Sequence, residues 1–305
     1  MENRIINFIN SSAGIGDHIL GLHAISYFSR RYNYLCRYYS IHSGWLRDVK
    51  QKNIEIYSAL KVPEDAVDVF EGYATEYESA YKNLYNSRIC RYITNIEKKV
   101  HDKDIDLYHY FISEYGCDLE LDFKAISKAD GYRHIVIAPY ATTVKRSWPA
   151  VNYNRLAQIL NKNYNCKIEF ITAAGEYPKL KNDFSVGDVK ARFHFGREIE
   201  FILDLIISAD LVISNDSGMA HLSAMYNKPT AVIMAELPVE YVYGTYNNII
   251  PITPKRFQTQ SCSPCYISSP DFGVECTRLG CSELAAITPF QVISKLLETG
   301  QINLM

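Results

Sequence analysis

The 305-residue chain has no charge surplus of either sign: 32 Lys and Arg stand against 34 Asp and Glu, a net charge of -2. Dedicated nucleic-acid binders carry a strong basic excess, so nucleic acid is not an expected partner on global charge. Long hydrophobic runs are missing too. Crossing a bilayer takes ~20 apolar residues, and the most apolar stretch, 201–213, is broken by Asp204 and Asp210. No membrane span is expected. The opening MENRIINFIN has neither the basic start nor the long apolar centre of a secretory signal, so the reading is a cytoplasmic protein. There is no internal repeat, low-complexity tract or charge block. Tryptophan occurs twice against 24 tyrosines, a bias from which no mechanism follows.

What is present suits a folded enzyme-sized protein. With 48% hydrophobic and 22% charged residues, the chain is not disordered, collagen-like or a coiled coil. Its length fits two medium domains or one large one. The eight cysteines are unevenly spread: Cys36, Cys90, Cys117 and Cys166 are scattered, whereas Cys262, Cys265, Cys276 and Cys281 cluster. A disulfide framework does not suit a reducing cytosol, which leaves free thiols or metal ligands. The first pair of the cluster has the C-x2-C spacing of zinc knuckles and the second pair is looser. A structural Zn or Fe and a set of partly buried thiols both fit.

The pattern of apolar runs gives the architecture. Residues 5–9 (IINFI) read as a strand, 10–16 (NSSAGIG) as a turn and 17–31 as a helix. Strands at 34–41, 67–70 and 107–112 and a helix over 76–99 follow, up to the turn cluster SKADG at 127–131. Beyond it, strands at 134–138, 167–172, 191–194, 211–214 and 230–234 alternate with helices at 152–163, 198–208 and 217–226. Such alternation predicts an α/β fold with parallel sheets and ligands at the strands' carboxyl ends. The expected division is a Rossmann-like domain over 1–130, a second over 131–288 with the cysteine-rich tail, and a terminal helix over 289–305 that packs back on the first domain. The two halves would face a central cleft.

Three strand-end loops could carry chemistry. In Ser214-Asn215-Asp216-Ser217-Gly218-Met219-Ala220-His221 a strand gives way to a helix, whose open N–H groups and dipole suit an anion. Gly218 permits close backbone approach, Ser217 adds a hydroxyl, Asp216 can accept from sugar hydroxyls and His221 can reach the same ligand. Alternatively, Asp216 or Ser217 only caps the helix and His221 is a core histidine. In Gly14-Ile15-Gly16-Asp17-His18 two glycines make a tight turn and place Asp17 as a general base for a hydroxyl, or as a first-turn acid favoured by the dipole. The dinucleotide fingerprint is not met, because its third glycine is replaced by Ile19. Thr142, Thr143, Lys145 and Arg146, just before Trp148-Pro149, offer hydroxyls and cations to a diphosphate, or form a solvated loop. Glu176 could take a ribose hydroxyl or be a plain surface acid.

Together, S-x-G-I-G-D, K-R-S-W-P, N-D-S-G-M-A-H with L-S-A-M-Y-N-K-P-T-A-V, and the tail's I-T-P-F-Q-V resemble glycosyltransferase family 9, the ADP-heptose:lipopolysaccharide heptosyltransferases. The resemblance implies a GT-B fold with the sugar nucleotide on the second domain and the acceptor on the first. It also implies inverting chemistry with no catalytic metal. Asp17 then matches the family's base, with Gly14, Gly16 and His18 on the acceptor-side loop. Asp216, Ser217, Gly218 and His221 match the donor-binding D-T-G-x-x-H, with serine for threonine. Thr142, Thr143 and either Lys145 or Arg146 match the diphosphate loop, and Glu176 a nucleoside-contacting acid. The implied partners are an ADP-heptose-like donor and a glycan hydroxyl acceptor, in lipopolysaccharide or surface glycan assembly. A same-fold enzyme that modifies a protein or a nucleic-acid base, and a non-catalytic sugar-nucleotide binder, are the alternatives. The resemblance reaches the cysteine cluster without deciding whether it holds metal.

Overall fold

The computed structural model describes residues 4–70, 88–101, 119–122, 133–173, 190–235, 237, 239–244, 246–254 and 281–302. It divides into two units: Met1–Lys124 with Val239–Asn247, and Ala125–Pro238 with Asn248–Met305. The return of 239–247 to the first unit has no counterpart in the sequence pattern. The expected strand at 107–112 lies outside the described residues, as does the first half of the helix expected over 76–99.

The first unit contains β1 (Ile5–Ile9), α1 (Ile15–Tyr32), β2 (Leu35–Ser40), β3 (Ile54–Ser58), β4 (Val67–Asp68) and α2 (Arg88–His101). Its strands form a parallel sheet in the order β3-β2-β1-β4. Helix α1 is buried almost throughout, which its small residues Gly21, Ala24, Ser26 and Ser29 permit. Gly21 marks the tightest approach: a Cβ there would lie 2.9 Å from Asn10 Nδ2 and 3.3 Å from the Tyr38 hydroxyl. The helix stops at Asn33, in the left-handed region that asparagine tolerates. Phe8 and Phe28 meet edge to face at 5.8 Å between β1 and α1, and α2 packs along α1.

The second unit contains β5 (Arg133–Ala138), α3 (Ala150–Tyr164), β6 (Cys166–Thr172), β7 (Ala191–Phe195), α4 (Ile199–Ser208), β8 (Leu211–Asn215), α5 (Gly218–Met225), β9 (Thr230–Ile233), β10 (Ile249–Ile252), α6 (Ser282–Ala286) and α7 (Pro289–Glu298). The six strands are parallel in the order β10-β9-β8-β5-β6-β7. Ile135, Ile137, Ile168, Phe170, Leu211 and Ile213 point to one face and pack with Tyr153, Leu156 and Leu160 of α3 and Val292 and Leu296 of α7. Helix α7 opens on a full capping box, Thr288 with Gln291. It lies on α3 and β10 within the second unit.

Strand β10, which is not among the strands expected from the sequence, contains Pro251. The amides of Thr230 and Met234 bond the carbonyls of Asn248 and Ile252, so even-numbered residues of β10 face β9 and Pro251 faces the outer edge. Its missing N–H costs the ladder nothing there. On the face opposite α3, buried Glu169 meets Lys167 Nζ at 2.7 Å, His194 Nε2 at 2.5 Å and His134 Nε2 at 3.4 Å. Burial alone would raise this acid; its contacts with His134, Lys167 and His194 outweigh burial and hold it well below the usual carboxylate range.

Candidate functional site

In the first unit the site is the loop between β1 and α1, and it is built by side chains. Asn10 Oδ1 accepts the Ser12 amide at 3.0 Å while its Nδ2 donates to the Asp17 carbonyl at 3.0 Å. The Ser12 hydroxyl accepts the Gly14 amide at 3.1 Å and donates to Asp17 Oδ2 at 2.7 Å. Asp17 is partly exposed in the first turn of α1. His18, expected on the acceptor-side loop, is instead fully buried and holds that loop from within. Its Nε2 lies 2.8 Å from the Ser12 carbonyl, which can only accept, so Nε2 carries the hydrogen. Nδ1 is then the acceptor, taking the Ser40 hydroxyl at 2.7 Å, and Ser40 Oγ takes the His42 amide at 3.0 Å. His42 stacks edge to face on His18 at 4.8 Å and its Nε2 meets the Ala13 carbonyl at 2.9 Å. Burial lowers His18 to about 4, so the ring is neutral at pH 7.

Gly14 differs from expectation in its reason. Its φ of -93° is ordinary, so no left-handed turn demands glycine. A Cβ at 14 would stand 3.1 Å from Asp17 Oδ2, so glycine leaves room for the carboxylate. Gly16 is buried in the helix's first turn.

In the second unit two loops leave the carboxyl ends of the neighbouring strands β5 and β8 and are joined by one side chain. Asn215, fully buried, accepts the Trp148 amide through Oδ1 at 2.8 Å and donates through Nδ2 to the Pro139 carbonyl at 2.6 Å. Trp148 is buried and its Nε1 donates to the Ile287 carbonyl at 2.8 Å. Between these anchors the loop is braced by Ser147 Oγ, which accepts the Ala141 amide and donates to the Thr143 carbonyl. Thr142 and Thr143 are exposed, and Lys145 and Arg146, in a single helical turn, are half-buried. Ser217 is the N-cap of α5 but makes no side-chain cap bond; its hydroxyl meets Ser214 Oγ at 3.0 Å. That corrects the cap reading of Ser217. Asp216 and His221 are buried, while Ser217 and Gly218 are partly exposed.

Glu176, Cys262, Cys265 and Cys276 lie outside the described residues. Cys281 is half-buried and its Sγ accepts the Leu284 amide at 3.4 Å, as the N-cap of α6. Among the described residues no group of three or more His, Cys, Asp or Glu is arranged to hold a metal ion. Ser12, Ser40, His42 and the clamping role of Asn215 escaped the sequence reading. Only Ser12 had a local signal, a hydroxyl five residues before the acid.

The model of glycosyltransferase family 9 (heptosyltransferase) matches residues 76–236, just over half of the chain. No curated protein sequence matches. Among solved structures, the iron-containing dodecameric glycosyltransferase TibC of enterotoxigenic E. coli H10407 is similar at TM-score 0.68 and 14% identity, over 99% of this chain and 77% of that one. A family 9 glycosyltransferase of Veillonella parvula gives TM-score 0.63 at 14% identity, covering 98% and 97% of the two chains. E. coli ADP-heptose LPS heptosyltransferase II gives 0.55 at 12%, covering 96% and 98%. These likenesses establish the GT-B fold expected from the motifs. With parallel α/β units, strand-end loops in both and a family match that runs from the first unit through most of the second, the chain belongs to glycosyltransferase family 9, and is a glycosyltransferase.

Proposed function

We propose that the protein is an inverting glycosyltransferase that moves a heptose from an ADP-linked donor to an acceptor hydroxyl in lipopolysaccharide or a related surface glycan. The observation that carries this reading is the start of α5, where the cap hydroxyl turns to Ser214 and the helix has no side-chain cap. Amides at such an end, next to the cation-bearing loop, are a preorganised site for a diphosphate. Gly218 lets it approach the backbone, Ser217 and the exposed Thr142 and Thr143 add hydroxyls, and Lys145 or Arg146 supplies the cation. Asp216 and His221 shape this site, and Glu176 takes the nucleoside's ribose. As the anomeric carbon–oxygen bond breaks, its electron pair leaves with the diphosphate, whose growing charge these dipoles stabilise. Asp17 takes the acceptor's hydroxyl proton while that oxygen bonds the anomeric carbon.

Two solved structures of similar fold are named as bound to ADP-D-beta-D-heptose and to ADP-2-deoxy-2-fluoro heptose, which supports the choice of donor. Calorimetry with ADP, UDP and GDP and their sugars tests it. ADP and ADP-heptose should bind, and the absence of heat with all of them would overturn the reading. No step needs a metal. The iron in TibC's name directs attention to Cys262, Cys265, Cys276 and Cys281 as ligands of a structural Zn or Fe. Elemental analysis of wild type beside Cys265→Ser decides that point, and less than about a tenth of an equivalent in wild type would end it.

A further inference from the structure

We propose that Ser12 is a positioning residue for transfer, fixing the Asp17 carboxylate in the orientation that receives the acceptor's proton; this rests on the reading of Asp17 as base. A serine just ahead of a helix ordinarily spends its hydroxyl on a helix amide. Ser12 does not. Helix α1 starts at the N-cap Gly14 with no side-chain cap bond. The Ser12 hydroxyl instead accepts from Gly14, itself outside the helix, and directs its hydrogen at Asp17 Oδ2, 2.7 Å away. An ionised carboxylate only accepts, so the direction of this bond is fixed.

Everything around Ser12 keeps that hydroxyl in place. Its amide is held by Asn10 Oδ1 and its carbonyl by His18 Nε2. The same Asn10 reaches the Asp17 carbonyl, tying the backbone of the acid to the residue that orients its side chain. The Ser12 carbonyl fixes the His18 hydrogen on Nε2, and the Ser40 hydroxyl then donates to Nδ1 of the neutral ring. His42 pins the intervening Ala13 carbonyl. Ser12 is buried while Asp17 is partly exposed, so a rigid inner residue aims an outer one. The room that Gly14 leaves beside Asp17 Oδ2 serves the same end. Proton removal depends on a carboxylate within hydrogen-bond reach in the right direction, and a misplacement of about 1 Å can cost about a hundredfold in rate.

The test follows ADP release from ADP-heptose with a lipopolysaccharide inner-core oligosaccharide as acceptor, on Ser12→Ala, Ser12→Thr, Asp17→Asn and the Ser12→Ala/Asp17→Asn pair, with melting temperatures alongside. Ser12→Ala should lower kcat by about 10- to 100-fold while the donor KM moves less than about twofold, and Ser12→Thr should recover most of kcat. On the Asp17→Asn background the same Ser12→Ala change should leave the residual rate unaltered, because the group it positions is gone. Wild-type kcat in Ser12→Ala, beside an inactive Asp17→Asn, overturns the proposal alone. A further loss on the Asp17→Asn background, or a fall in melting temperature that accounts for the lost rate, gives Ser12 a purely structural role and overturns it too. Full activity in Asp17→Asn overturns the base assignment beneath it. No ADP release by wild type overturns the glycosyl-transfer reading and the proposal with it.

Discussion

Two helices of this protein start at the carboxyl end of a parallel strand, and their first turns are furnished in opposite ways. Helix α1 carries Asp17 in its first turn, so the partial positive charge there already faces an acid of the same chain. Helix α5 has no acid in its first turn, and its cap serine bonds Ser214. The same backbone geometry thus carries an acid in the first turn in one unit and a cap hydroxyl turned away from the helix amides in the other, the end proposed above for the diphosphate. Their scaffolds differ as well. The α1 loop is held by a chain of hydroxyls and imidazoles, and the α5 turn by one buried amide, Asn215, that grips main-chain groups on both sides.

The comparison breaks most sharply at Asp17. If Asp17 is the proposed base, Asp17→Asn should lower kcat by ~10²- to 10⁴-fold and leave ADP affinity unchanged, because a base acts on the acceptor's proton and not on the nucleotide. Rate assays paired with calorimetry check this; a loss of ADP binding would erase the distinction between the two helix starts. The second effect is on stability. His18 has a folded value of about 4 against 6.5 for an unhindered ring. Its neutral form therefore contributes fully above pH 6.5, and the contribution is lost as pH falls toward 4, by about 3 kcal/mol. Urea unfolding of wild type and His18→Gln across that window should show the slope in the first and a weaker one in the second. Glu169, whose value is lowered, adds a separate loss below its ordinary 4.5.

Next is the amide clamp. Asn215→Ala leaves the Trp148 amide and the Pro139 carbonyl buried without this partner, at a cost of ~2–4 kcal/mol, and frees the loop bearing Thr142 to Arg146. Denaturation and ADP titration should both register it. The smallest effect is the most diagnostic. Thr288→Ala, which removes a genuine capping box, should cost ~1 kcal/mol. Ser217→Ala, which removes no cap bond, should cost less than ~0.5 kcal/mol and yet weaken ADP binding. Equal costs would make Ser217 an ordinary cap after all.

Much of the fold was legible because buried parallel strands are written as unbroken apolar runs. HIVIA at 134–138 and LVIS at 211–214 have no other reading, and both are strands. Two strands were missed for contrary reasons. Ile54–Ser58 is a half-exposed edge whose polar residues hide its period, and Ile249–Ile252 contains a proline that only an edge position excuses. At the candidate site, the residue types proposed to meet a ligand can be read in line, since each set lies within one loop. The residues that aim them could not: Ser40 lies 22 positions from His18, and Asn215 lies 67 from Trp148 and 76 from Pro139. Such pairs exist only once strands are set side by side.

The proline on β10 also bears on how this protein avoids others of its kind. An outermost strand is a template on which any stray extended segment can zip, including the same strand from another molecule. Pro251 lies on the outward side of β10 and offers no hydrogen there, so a would-be partner meets a gap in the middle of a four-residue edge. Among the described strands, one ring thus removes a donor from that margin at no cost to the ladder with β9.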